Sequence, residues 1–302
     1  MTRRTIGAYL QSSALALSHH GGDALLAMDV PADCQTASGG GMVTVEPGER
    51  YAVARGVGVV PVRGLLTPNF FLFEKYMGWT TYQGLEQSLA ELAANDDCSG
   101  IVLDMDCPGG MVLGIEGAAQ AIAAAAAIKP VHVLVNPLAA SAAYWLASQA
   151  TEITITPGAL VGSIGVRLTA TSPQDTDNWG DQWFEISSSH ARAKAPDPAT
   201  DAGMAELRRA LDETEALFHA AVAAGRGIDP AQFTAQLSVT DDPQDGGAVF
   251  GPEQGIARGL VDQLETRDAF YARVMAAYAP APRPQARAFA ALAAAAQARA
   301  AT

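Results

Sequence analysis

The stretch NPLAASAAYWLAS, Asn136 to Ser148, follows the apolar run Val131-His132-Val133-Leu134-Val135. A strand-like segment gives way there to a helical pattern, and Ser141 sits at the change. Ala139, Ala140, Ala142 and Ala143 are small enough to let other backbone come close, and Tyr144, Trp145 and Leu146 open a buried helix. A serine in the first turn of a helix has free N–H groups around it and the positive end of the dipole beneath it. Both favour negative charge developing on an acyl oxygen. Serine is also a preferred N-cap, and capping alone accounts for a lone serine at such a junction. The rest of the chain has to decide between the two.

Working outward, strands and helices alternate. Gly58-Val59-Val60-Pro61-Val62 has the composition of a buried strand, and Thr80 to Asn95 carries Leu85, Leu89 and Leu92 at helical spacing, with Thr81 or Tyr82 near its start. Gly100 to Asp106 is the next strand. Cys107-Pro108-Gly109-Gly110 is expected to turn sharply into a helix over Val112 to Ile128, which Lys129-Pro130 stops. Glu152 to Ile155 is a further strand, followed by Gly162-Ser163-Ile164-Gly165-Val166 and a short strand at Phe184-Glu185-Ile186. A helix over Asp201 to Gly225 is expected to bury Leu207, Leu211, Leu217 and Phe218, and shorter helices start near Pro230 and Gly251. This order predicts an α/β fold with a mainly parallel sheet and crossover helices. Ligands of such sheets gather at the carboxyl ends of the strands. Both the PGG turn and Ser141 fall at such ends, which is the first evidence against a mere cap.

The flanks read differently. Residues 1–45 suggest a peripheral arm, 46–268 the folded domain, and 269–302, rich in Ala, Pro and Arg, a tail. Asn69 to Trp79 concentrates Phe70, Phe71, Phe73, Tyr76 and Trp79; such a cluster covers a core, forms a lid or meets another surface.

Composition narrows the function. A formal charge of −13 argues against a nucleic-acid surface. No run of about 18 apolar residues is present to span a bilayer, so no membrane anchor is expected. The opening MTRRTIGAYLQSSALALSHH is too broken by Gln11, Ser12 and Ser13 for a secretory leader. Cys34, Cys98 and Cys107 make neither a disulfide framework nor a zinc motif, and Cys107 is read as a small packing residue. The histidines show no metal spacing, and His132 is read as a satisfied core residue. No cofactor or metal is expected.

A serine hydroxyl needs a neighbour to take its proton. Arginine stays protonated and cannot do so. The chain has three lysines: Lys75 in the aromatic stretch, Lys129 at a helix end, and Lys194 in SSSHARAKAPDP. A lysine held among Ala193, Ala195 and Pro196 and covered by substrate can lose its proton, because burial disfavours the charged form; exposed lysine is otherwise the norm. Two glycines in the PGG turn let backbone N–H groups face a ligand, and with the N–H of Ala142 they can form an oxyanion hole. Asp104 and Asp106 are expected on opposite faces of their strand, which leaves no carboxylate pair there.

The ordered set DCPGG, LAASAAYWLAS and VGSIGV, with the opening VVPVRGLLT and the closing FGPEQGIARGLVDQL, resembles the signal peptide peptidase A family of serine peptidases from about Val57 to Asp262. The resemblance implies a Clp/crotonase-like fold and a Ser/Lys dyad. By motif, Ser141 matches the nucleophile, Gly110 with Gly109 the oxyanion turn, Ser163 a serine that orients the base, and Lys194 the general base. Two features depart from the family pattern: Ala142-Ala143 replaces Gly-Gly after the serine, and the lysine segment lacks the commoner GxxK form. The VRGLLT opening and Ala-rich tail are most similar to the phage head-maturation branch. That implies a homo-oligomeric endopeptidase acting on scaffold, portal or capsid proteins in the prohead, within the host cytoplasm. The alanines around Ser141 predict small or apolar residues at the cleavage point. Two other readings stay open: an inactive assembly scaffold of the same fold, and an acyl-CoA enzyme sharing the oxyanion turn.

Overall fold

The computed structural model describes residues 15–28, 49–170, 172, 187–189 and 191–279. In chain order its elements are β1 (Leu15–Leu17), α1 (His19–Ala27), β2 (Ala52–Ala54), β3 (Val57–Leu66), α2 (Phe71–Met77), α3 (Tyr82–Ala94), β4 (Gly100–Met111), α4 (Ile115–Ile128) and β5 (Val131–Ala140). There follow α5 (Ala142–Ala147), β6 (Glu152–Ile155), β7 (Leu160–Gly162), α6 (Asp201–Arg226), α7 (Pro230–Leu237), β8 (Val249–Phe250), α8 (Pro252–Ala257), β9 (Gln263–Leu264) and α9 (Arg267–Tyr278). The expected strand at Phe184 to Ile186, the tail beyond 279, Cys34 and His190 lie outside the described residues.

Runs of Val, Ile and Leu make β3, β4 and β5 the centre of the sheet, since strands covered on both faces need apolar side chains on both. The strand order is β2-β3-β4-β5-β6-β9, with β1 added to β4 and β7 joining β5 to β8. The pairings from β3 through β6 to β9 are parallel, as is β5 with β7; β1, β2 and β8 pair antiparallel. The sheet is therefore α/β and mainly parallel, as the alternation predicts.

Alternate residues of β4 define the two layers. Ile101, Leu103, Met105 and Cys107 join the large core with Leu85 and Leu89 of α3, Ile115 and Ile122 of α4, and Tyr144 and Trp145 of α5. On the other face, Val102 packs with Val57, Val59 and Leu134 against Phe270, Tyr271, Val274 and Met275 of α9. The domain boundary expected at Asp268 thus falls inside a helix that covers one face of the sheet.

Local chemistry sets the helix ends. Thr81 caps α3 by accepting the N–H of Gly84 at 3.1 Å, Thr200 caps α6 in the same way from Gly203, and Lys129 closes α3 by donating to the carbonyls of Leu92 and Asn95 at 2.8 and 2.6 Å.

Three expectations are corrected and one open reading is sharpened. The PGG segment does not turn into a helix. β4 continues through it to Met111, because Gly109 and Gly110 still pair with Leu65 and Leu66 on one side and with β1 on the other, and α4 starts only at Ile115. The aromatic stretch contains a helix, α2, that buries Phe73 but leaves Phe71, Leu72 and Tyr76 exposed. In α6 the buried side is Gly203, Phe218, Val222 and Ala223, and Leu217 points outward at 51% exposure. Asp104 and Asp106 share a face, as residues two apart on a strand must. Asp104 is buried, and burial first, then its charge, raises the pKa of Asp106 against the opposing pull of Arg63.

Candidate active site

Ser141 is placed by the end of β5. This strand follows β4 up to Val135, loops out Asn136 and Pro137, then resumes pairing at Leu138 and Ala139 with Asp106 and Cys107. The loop-out lets the last residues of β5 pair with β7 as well, Ala140 opposite Gly162. Ser141 then donates its backbone N–H to the carbonyl of Gly162 at 2.7 Å, and its own carbonyl accepts from Trp145 at 2.9 Å to start α5. Strand ladder and helix meet at one residue, so Ser141 is forced to φ 57°, ψ −124°. A non-glycine residue with positive φ costs about 1–3 kcal/mol unless the surroundings impose it. Ala142, Ala143 and Ala147 are fully buried around it, so a larger residue in α5 would push the helix off the sheet.

The capping role is ruled out by geometry. Ser141 occupies the N-cap position of α5, yet its side chain accepts no capping hydrogen bond. The residue is 1% exposed and strained, and its hydroxyl makes no hydrogen bond among the described residues.

The PGG turn lies directly against it. Gly109 has φ 113°, and a Cβ built there would overlap the carbonyl oxygen of Ala16 and stand 3.0 Å from Ser141 Cβ. Gly110 is as tightly enclosed, since a Cβ on it would overlap the carbonyl oxygen of Leu66. Glycine is required at both positions by contact, and at Gly109 also by backbone angle. The N–H of Gly109 faces the sulfur of Cys107 at 3.4 Å, and the thiol donates to the Gly64 carbonyl at 3.0 Å. Burial pushes the Cys107 thiol up to about 12, so it is a protonated tie holding the turn and not a second nucleophile.

Ser163 follows Gly162, the residue that accepts the Ser141 N–H. It too has positive φ, 52°, fixed by donation of its N–H to the carbonyl of Ala248 at 2.6 Å. It lines a cleft of 660 Å³ together with Leu17, Asp212, Glu215 and His219. Burial lowers the His219 pKa, and burial followed by the charge of Asp212 raises that of Glu215. These α6 residues escaped the sequence reading because on a charged helix they look like a solvated face. Their spacing of 212, 215 and 219, one helical stripe, was the available signal.

Lys194 is placed by a different segment of the chain. It ends a 3-10 turn, Arg192–Lys194, is exposed, and makes no hydrogen bond to Ser141. The other lysines are engaged elsewhere: Lys129 on the α3 carbonyls and Lys75 over the rings of Phe71 and Tyr76. His132 hydrogen-bonds Glu152 at 2.7 Å and the Tyr278 hydroxyl at 2.8 Å, a satisfied residue as expected. Among the described residues no His, Cys, Asp and Glu cluster has a metal-holding arrangement, and no helix is long and apolar enough to cross a membrane.

The described geometry is thus a strained, buried serine at the C-terminal rim of a parallel sheet, backed by a glycine turn. The family model of Peptidase family S49 matches residues 123–279, and the chain belongs to this family. It is 33% identical over 227 residues to the capsid assembly protease C of Escherichia phage lambda, covering 71% of this chain and 47% of that protein. It is 30% identical over 223 residues to the head-tail preconnector protein GP5 of Enterobacteria phage P21, covering 72% and 42%. The chain thus spans less than half the length of these two relatives. Similar solved structures include the 1510-N membrane-bound stomatin-specific protease, 14% identical with a TM-score of 0.43 over 74% of this chain and 86% of that one. An enoyl-CoA hydratase/isomerase family protein from Silicibacter pomeroyi is 11% identical with a TM-score of 0.44 over 78% and 85%.

Proposed function

We propose that this chain is a serine endopeptidase in which Ser141 attacks the carbonyl of an extended peptide and Lys194 is the general base. The observation that carries the reading is Ser141 itself: buried, held at positive φ, unused as a cap, and touching the glycine turn. In the proposed reaction Lys194 in its uncharged form takes the hydroxyl proton, Ser141 Oγ bonds to the carbonyl carbon, and the oxyanion is held by the N–H groups of Gly110 and Ala142. Collapse of the tetrahedral species passes the proton to the leaving amine, and water then releases the acyl group by the same steps. Gly109 contributes room, since its own N–H is directed at Cys107. Ser163 orients the lysine.

Lys194 is exposed in the single chain, so in this reading the dyad completes only when peptide or a neighbouring subunit covers it. Where a second copy of the chain supplies that cover, the working form is a homo-oligomer. The names of the phage relatives support proteins of the assembling head, namely scaffold, portal or capsid proteins, as substrates. Lys194→Ala should bring hydrolysis of such proteins to the level of Ser141→Ala, at equal folding. Full activity in purified Lys194→Ala would discard the dyad and leave Ser141 in need of another base.

A further inference from the structure

The segment beside Ser141 belongs to the chain's own N-terminal region. β1 lies antiparallel along the end of β4, with Leu17 opposite Gly109, Ala16 opposite Gly110 and Leu15 opposite Met111. Its other edge is also used. Leu15 and Arg167 exchange both backbone hydrogen bonds, at 3.0 and 2.9 Å, and Ser18 donates its N–H to the carbonyl of Pro108 at 2.8 Å. Three residues are therefore bonded between the PGG turn and the segment that follows GSIG. The carbonyl of Ala16 sits against Gly109, whose other neighbour is Ser141 Cβ.

The side chains alternate. Leu15 and Leu17 join a buried cluster with Leu65, Phe73, Trp79 and Met111, whereas Ala16 turns into the main core and is fully buried. Strand pairing gives binding energy without regard to sequence, and pockets for alternate side chains give selectivity. The cleft that Leu17 shares with Ser163 and Arg167 extends the same groove beyond the strand.

We infer that Leu15–Ser18 occupies the groove through which peptide substrates reach Ser141, as a tethered competitor. The inference rests on the peptidase reading of Ser141. It also names the substrate class: an extended peptide with apolar residues at alternate positions and a small residue between them, as in Leu-Ala-Leu. A tethered segment acts at an effective concentration on the order of 1 mM, so substrates supplied below that level are excluded until the strand leaves.

Hydrogen exchange on the full-length Ser141→Ala chain tests occupancy without requiring activity. The amides of Leu15, Ser18 and Arg167 should be protected. Excess synthetic peptide of the sequence SALALSHH, at several millimolar, should release protection at Leu15 and Ser18 while Arg167 stays protected by the incoming peptide. In the active chain, Ala16→Arg should eject the strand and speed labelling by a serine-reactive phosphonate about tenfold or more, the ratio of a millimolar competitor to a probe near 0.1 mM. Unprotected Leu15 and Ser18 amides, or protection that millimolar peptide leaves unchanged, would overturn the inference even if Ser141 proves nucleophilic. Protected, displaceable amides in a chain whose serine never reacts, Ala16→Arg included, would instead overturn the peptidase reading and with it the competitor role.

Discussion

The α9 face of the sheet and the rim at Ser141 differ in how many partners their polar side chains have. On the face covered by α9, Asp104 accepts from Arg63 at 3.0 Å, Arg267 at 2.7 Å and the Tyr271 hydroxyl at 2.9 Å. Nearby, Arg273 bridges Glu152 and Glu265, and His132 joins Glu152 to Tyr278. At the rim on the other side, the hydroxyl of Ser141 has no hydrogen bond among the described residues and its backbone is strained. A buried carboxylate with three donors is a fastener, because each partner offsets the loss of water. A serine held at an unfavourable backbone angle persists only because the ladder to Gly162 and the start of α5 over-determine it. The contrast separates what holds the molecule together from what is left free to react.

The largest expected effect tests the rim. Ser141→Gly should lower peptide hydrolysis by about 10⁴-fold or more. It should also raise stability by about 1 kcal/mol in a denaturant titration, since glycine accepts the positive φ; a loss of stability would mean that the backbone there is not strained. Gly109→Ala comes next. Its Cβ has no room beside Ala16 and Ser141, so activity should fall by about 10²-fold with a lowered melting temperature, and retained turnover would show that the turn is not part of the site.

On the α9 side the signs reverse. Asp104→Asn should cost about 2 kcal/mol of stability, within the range for hydrogen bonds to charged groups, and leave turnover per folded molecule unchanged. The smallest effect concerns Cys107. Its folded pKa is raised from 9.0 to about 12, so the folded state holds a proton that the unfolded state gives up between those values. The contribution is fully present below about pH 9 and is lost as pH rises toward 12, at no more than about 1.4 kcal/mol per pH unit. Cys107→Ser should therefore show a shallower fall in denaturant midpoint between pH 9 and 10.5 than the parent chain.

What the sequence made legible follows the same division. β3, β4 and β5 announce themselves because strands buried on both faces must be continuously apolar, and Ser141 stands out because only small residues permit such a junction. The extension of β4 through PGG was hidden, since it depends on pairing with Leu15–Leu17, far away in the chain and too short to show a period. The fastening helix was hidden by composition: Phe270, Tyr271, Val274 and Met275 are correctly spaced, but Ala and Arg around them read as a tail. Lys194 was singled out by elimination among three lysines, and the structure of one chain leaves it exposed on a 3-10 turn.

The central claim is that the free hydroxyl at the rim is a nucleophile activated by an amine. The direct measurement is intact and peptide-level mass spectrometry of the full chain after treatment with a serine-reactive phosphonate. A single adduct mapped to Ser141, reduced to background in Lys194→Ala, is the predicted result. An adduct that forms equally fast in Lys194→Ala, or none on Ser141 in the parent and in Ala16→Arg alike, would contradict it.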